Sequence, residues 1–339
     1  MFTDESDDGS GFYHDPPLWV GASPIDEETD ELENLDSLVE VVYQTTMPCG
    51  VRISVTREGL FAFGFGSFDM RTILPEAKDR IGSRDENARS VLGRTLFMNA
   101  FLALVYTNAG PLDRMVVTPE VLMYIGAVDD PALITSSPSH RLEFLNRSND
   151  AGSYNPNWNP TDDFRIRERS RTIRSSDLAQ ATDQLASFMS DYPSDGLLLL
   201  DLFARASKAY QDYSYSSCLI TYWAIIEKLL GELWETFQTD NKTRNGQPFV
   251  AGQRLKRLQD GRTYTAAVII EILSLTSYID DELYQDISRI RKARNDWMHS
   301  LKGNFNHSDA DAATRACERM FLQVRNLELR GCSPGFARY

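Results

Sequence analysis

An arginine, a carboxamide and an imidazole stand close together near the C-terminus, in Arg291-Lys292-Ala293-Arg294-Asn295-Asp296-Trp297-Met298-His299. These side chains suit phosphodiester cleavage. An imidazole moves a proton near neutrality, a guanidinium neutralises a crowded phosphorus centre, and an amide holds a phosphate oxygen or steers the imidazole. A ribose 2′-hydroxyl would supply the nucleophile, so no metal and no cofactor is called for. Arg294, Asn295 and His299 are therefore the candidate catalytic residues. The segment predicts a helix over 280–300. At about 100° per residue, Leu283, Ile287, Ile290, Trp297 and Met298 fall within about 60° of Arg294, which places the arginine on an apolar stripe. Asn295 and His299, at i and i+4, adjoin each other beside Tyr284, Ser288 and Arg291. Tyr284 and Arg291 are thus supporting candidates.

A half-buried guanidinium needs an acceptor, because it does not lose its proton. The earlier segment from Tyr215 to Phe237 carries an apolar stripe of Leu219, Trp223, Ile226, Leu230, Leu233, Trp234 and Phe237, with Glu227 set between Trp223 and Trp234. Two helices that each bear one opposite charge on an apolar face are expected to pack with the charges paired, giving an Arg294 to Glu227 contact. The alternative is a glutamate at the stripe's edge that reaches water.

The chain has a formal charge of −14, but residues 1 to 40 hold 13 acidic and no basic residues, leaving 35 basic against 36 acidic in the rest. The body is close to neutral and contains basic patches. Arg254, Lys256, Arg257 and Arg262 face one Asp260, while Arg289, Arg291, Lys292 and Lys302 surround Arg294. Arg165, Arg167, Arg169 and Arg171 alternate, so an extended backbone would project all four from one face. These are the expected phosphate contacts, against the plainer reading of solvated faces.

With 42% hydrophobic residues over 339 positions, two domains are expected. Cys49, Cys218, Cys317 and Cys332 stand singly, so neither a disulfide framework nor a metal site is indicated. The acidic N-terminus lacks the basic start of a secretion signal, and no apolar run is expected to reach the length that crosses a bilayer. A cytoplasmic protein with no membrane partner is the expectation.

Residues 1–40 read as an acidic, mostly disordered head, either a solubilising tail or an RNA mimic that covers a basic groove. Residues 41–163 read as an α+β N-terminal domain. Within it Val51, Ile53 and Val55 alternate, Arg57-Glu58-Gly59 turns, and Phe61, Phe63 and Phe65 alternate again. A long apolar helix over about 87–107 follows. Gly64-x-Gly66 lacks a third glycine and a helix start, and is rejected as a nucleotide loop. Residues 149–163 read as a linker and 164–175 as an arginine-rich connector. From 176 to 339 the pattern is helical, with helices starting near Ser176 or Asp177, Asp195, Tyr215, Thr263, Asp280 and Ser308 or Asp309. The fold class is mostly α: an antiparallel helical bundle preceded by a smaller α+β domain.

The pairing of Arg-Asn-x-x-x-His on a late helix with an earlier Trp-x-x-x-Glu-x-Leu-Leu helix, led in by Leu202-Phe203-Ala204-Arg205-Ala206 and Tyr210, resembles the HEPN domains, most of all their Apea-like branch. The resemblance covers roughly 176–328. It implies a HEPN-like bundle and metal-independent cleavage of RNA, tRNA or mRNA among the candidates. It also implies a groove at the twofold axis of a homodimer, a 2′,3′-cyclic phosphate product, and a role as a toxin or antiphage defence effector, with residues 41–163 as the regulatory domain that senses an unknown trigger ligand or protein. The rival reading from another class is a non-catalytic HEPN-like module for dimerisation or binding.

Overall fold

The computed structural model describes residues 9–15, 18–21, 39–66, 68, 83–110, 112–125, 172–300 and 305–332. The chain is mostly helical with a small sheet region toward the N-terminus. It divides into two compact units, Met1–Asp201 and Leu202–Tyr339.

In the first unit, strands β1 (Gly9–Tyr13), β3 (Val41–Thr46), β4 (Arg52–Thr56), β5 (Leu60–Gly64) and β6 (Met123–Ile125) form one antiparallel sheet in the order β3-β4-β5-β1-β6. The β4–β5 hairpin is the one expected, with Ile53 opposite Phe63 and Val55 opposite Phe61. Its turn needs Gly59, which holds φ at +80°. Strands β2 (Trp19–Val20) and β7 (Thr172–Ile173) pair in parallel. Phe12, Phe61, Phe63 and Phe65 share one face of the sheet and meet Phe97 and Phe101 of α1 (Ser83–Ala109) edge-on, as in Phe63–Phe101 at 5.7 Å and Phe65–Phe97 at 5.6 Å between ring centres. Helix α2 (Ser175–Asp191) turns Leu178, Ala181, Leu185 and Phe188 inward and packs on α1. It therefore belongs to the first unit, whereas the periodicity alone had grouped it with the C-terminal bundle.

Two expectations are corrected here. Part of the acidic head is ordered: β1 lies inside the sheet between β5 and β6, with Ser10 opposite both Phe63 and Tyr124. Its glycines hid the alternation. Gly11 is required there because a Cβ would come within 2.6 Å of the Phe61 carbonyl oxygen. The second concerns apolar length. Arg89–Ala109 is long and apolar enough to cross a membrane by length and composition, yet 78% of its most apolar window is buried inside the protein. It is the helix at the core of this unit, surrounded on all sides from Phe97 to Tyr106. Its one deeply buried amide, Asn99, is satisfied by the Val117 backbone (2.7 and 3.1 Å) and Asp201 (2.8 Å).

The unit boundary falls within α3 (Gly196–Gln211). Helix α4 (Tyr215–Asp240) is the centre of the second unit and packs against α6 (Ala266–Leu275), α7 (Asp281–Ser300) and α8 (His307–Arg325). Phe203 meets Tyr222 and Phe321 edge-on at 5.6 and 5.8 Å. Between α4 and α6 lie a short hairpin, β8 (Thr243–Arg244) with β9 (Gln247–Pro248), and the seven-residue helix α5 (Gly252–Leu258). Helices α7 and α8 form an antiparallel pair cross-linked by Arg319 to Asp280 and Glu282, Arg315 to Asp286 at 2.9 Å, and Arg289 to Asp309 at 2.8 Å. The cap of α8 is Asn306 rather than Ser308 or Asp309. Its side chain accepts from the Asp309 N–H while Asp309 accepts from the Asn306 N–H.

Candidate functional site

Helix α7 begins where Asp280 accepts the Leu283 N–H at 2.9 Å. That bond, with Arg319 beside it, holds the Asp280 carboxyl below the usual carboxylate range. Leu283, Asp286, Ile287 and Ile290 are buried, but from Arg291 onward the cover thins. Arg294, Asn295 and Trp297 are half-buried, and Met298 and His299 are exposed. The apolar stripe thus runs on past the core, leaving Met298 51% exposed. Trp297 closes this end of the α7–α8 pair through a tilted contact with Phe305 at 6.1 Å.

The Arg294 guanidinium donates to the Asn295 side-chain oxygen at 3.0 Å. His299 stands a turn beyond Asn295, and its imidazole makes no hydrogen bond with a described residue. Arg291 is half-buried, with its Nε buried and without a described partner. Tyr284 donates to Glu271 at 2.6 Å, and that carboxylate, with some burial, raises the phenol's pKa.

The expected Arg294 to Glu227 contact does not form. Glu227 is exposed and no ion pair joins the two. Glu227 lies about 80° from Leu219 around α4, past Trp234 at about 60°, and at this level of the helix that edge of the apolar face is open to solvent. A half-buried ion pair of α4 lies at the other edge of the apolar face, where Glu232 meets Arg325 of α8 and also Lys228 at 3.2 Å.

Among the described residues of this unit, the lysines and arginines sort into two kinds. Lys208, Lys228, Arg289, Arg315, Arg319, Arg325 and Arg330 are ion-paired, and Arg205 has a partner as well. Arg289 is therefore already neutralised by Asp309. The cations without a carboxylate partner form two groups. One is Arg291, Lys292 and Arg294 on α7. The other, containing Arg254, Lys256 and Arg257, is on and around α5 at the opposite end of the bundle. Arg165, Arg167, Arg169 and Arg171 lie outside the described residues.

Sequence reasoning missed a polar cluster at the His299 end. The Tyr210 hydroxyl contacts Asp311 at 2.5 Å and the His307 Nε2 at 2.8 Å, and the His307 Nδ1 faces Asp311 at 3.0 Å. Burial, then Asp311, drives the Tyr210 phenol pKa well up. The signal was present as His307 and Asp311 at i and i+4 on the first turns of α8. Among the described residues, no group of three or more His, Cys, Asp or Glu side chains is placed to hold a metal ion.

Comparison with known proteins returned nothing: no family model matches the chain, and no curated protein or solved structure is significantly similar to it.

Proposed function

We propose that the chain is a metal-independent endoribonuclease of the HEPN type, acting as a homodimer and serving as a toxin or antiphage effector. The observation that carries this reading is the exposed His299 one turn beyond the Arg294–Asn295 pair, beside three cations that no described carboxylate neutralises. A phosphate brought there would meet a guanidinium able to take up charge in the transition state, and an imidazole free to take or give the 2′-hydroxyl proton. The half-exposed stripe of Trp297 and Met298 supports a second copy of the chain on this face, which would bring two such sets together. The test is RNA cleavage in EDTA, expected for the wild-type chain and absent for His299→Ala.

One observation favours a second reading, the non-catalytic module. Arg294 already occupies the Asn295 oxygen, as a structural pair would. A module of that kind leaves RNA intact in the same assay, and its binding is indifferent to His299→Ala.

A further inference from the structure

The second group of unneutralised cations lies far from His299. Tyr278, just before α7, donates to Asp240 at the C-terminal end of α4 at 2.8 Å and packs on Phe237, while Trp234 stacks on Tyr264 and bonds the Leu258 carbonyl. The hairpin and α5 therefore sit at the end where α7 starts. From Asp281 to His299 the helix rises about 27 Å. At this distal end Lys242, Arg244, Arg254, Lys256, Arg257 and Arg262 are all exposed and make no ion pair with a described residue. The single acid of the segment, Asp260, is taken by the Arg262 N–H at 3.2 Å and the Thr263 hydroxyl at 2.8 Å.

The patch is organised before anything binds. Asn245 and Gly246 hold positive φ, +52° and +76°, as a two-residue hairpin turn requires. The hairpin continues inward through Phe249 N–H to Lys242 O and Val250 N–H to Asn241 O at 2.8 and 3.0 Å. The guanidiniums of Arg244 and Arg254 lie over the Phe249 ring, 5.3 and 4.6 Å from its centre, and Arg254 also donates to the Phe249 carbonyl. Stacked arginines are partly ordered and keep N–H edges for phosphate oxygens. Helix α5 buries none of its residues, so it contributes almost nothing to the core.

We propose that the β8–β9 hairpin and α5 form a docking platform for the phosphate backbone of a base-paired RNA arm whose cleavage point lies at His299; this rests on the nuclease reading above. The backbone, rather than unpaired bases, is the fitting ligand because single-strand sites offer bare aromatic faces for stacking. Here Phe249 is the segment's one aromatic, and it carries arginines. A duplex arm on the order of ten base pairs spans the separation of about 27 Å. The preferred substrate is thus a stem–loop with a long arm rather than a short oligonucleotide.

The test reads binding alone, so that absence of cleavage leaves it decisive. In the His299→Ala background, a fluorescent stem–loop with a 12-base-pair arm and one with a 4-base-pair arm are titrated at several salt concentrations. The same is done after adding R244A, R254A and R257A, three exposed sites whose replacement leaves the circular dichroism spectrum as a check on folding. The expected result is tighter binding of the long arm by at least tenfold. The triple variant loses that preference, and its log affinity against log salt is shallower by about two to three. Equal affinity and slope with and without the three arginines overturn the proposal. So does retained RNA binding accompanied by loss of binding to a synthetic peptide of residues 22–40, which would make the platform a dock for this chain's own acidic segment.

Discussion

Glu227 and Glu232 are five residues apart on α4, and their fates differ because of where the buried arc ends. Replacing the exposed Glu227 by Ala is expected to change stability by less than about 0.5 kcal/mol. Glu232→Ala removes the carboxylate that faces Arg325, which is 6% exposed, and is expected to cost about 2 kcal/mol, less than a fully buried pair because Glu232 itself is partly solvated. Urea denaturation of the two variants checks both. The sequence showed that α4 has one apolar face, but not how wide it is. The width depends on how many helices surround α4, and with α6, α7 and α8 all packed on it, Cys218, Ile225 and Leu229 are buried too. His299→Ala is the complementary case: an exposed side chain whose loss is expected to leave thermal stability within about 0.5 kcal/mol and to lower cleavage by about a hundredfold or more.

At the scale of elements, the strongly periodic segments were legible and the weakly patterned ones were not. The β4–β5 hairpin, α1 and the helices from α2 to α8 follow alternation, apolar stripes and capping residues, apart from α5. Strand β1 escaped because glycine and serine give it no alternating apolar face, and its burial comes from partners on both sides. Helix α5 escaped because it has no buried face at all. The β8–β9 hairpin also escaped, because its Asn245-Gly246 turn is flanked by strands only two residues long, too short to show alternation. The order of β1 changes how the acidic head should be probed. Truncation at Val41 removes a central strand of the sheet, so neutralising the acids between Asp26 and Asp36 is the sounder test of autoinhibition. The same geometry predicts that Gly11→Ala lowers stability by about 2 kcal/mol or more in a denaturation curve, because its Cβ meets the Phe61 backbone oxygen.

For the whole molecule, the buried acids predict a defined alkaline limit. Burial raises the Cys218 and Cys317 thiol pKa values, and burial together with Asp311 raises that of Tyr210. With folded pKa values above the unfolded ones, about 8.5 for thiols and about 10 for phenols, the unfolded chain releases these protons first. Their contribution is fully present below about pH 8.5 and is lost as pH rises beyond it. Thermal melts should therefore be flat in this respect near neutrality and fall steadily above about pH 9. The second unit separates its charges: ion pairs hold α7 to α8, and the unneutralised cations stand at the two ends. On the proposed nuclease reading, that separation would leave one end for chemistry and the other for holding RNA. The most direct measurement is incubation of the wild-type chain and His299→Ala with mixed RNA and tRNA in EDTA, followed by identification of the 3′ ends. The account predicts fragments ending in 2′,3′-cyclic phosphate from the wild-type chain alone. Cleavage that survives the substitution, or intact RNA in both samples, would contradict it.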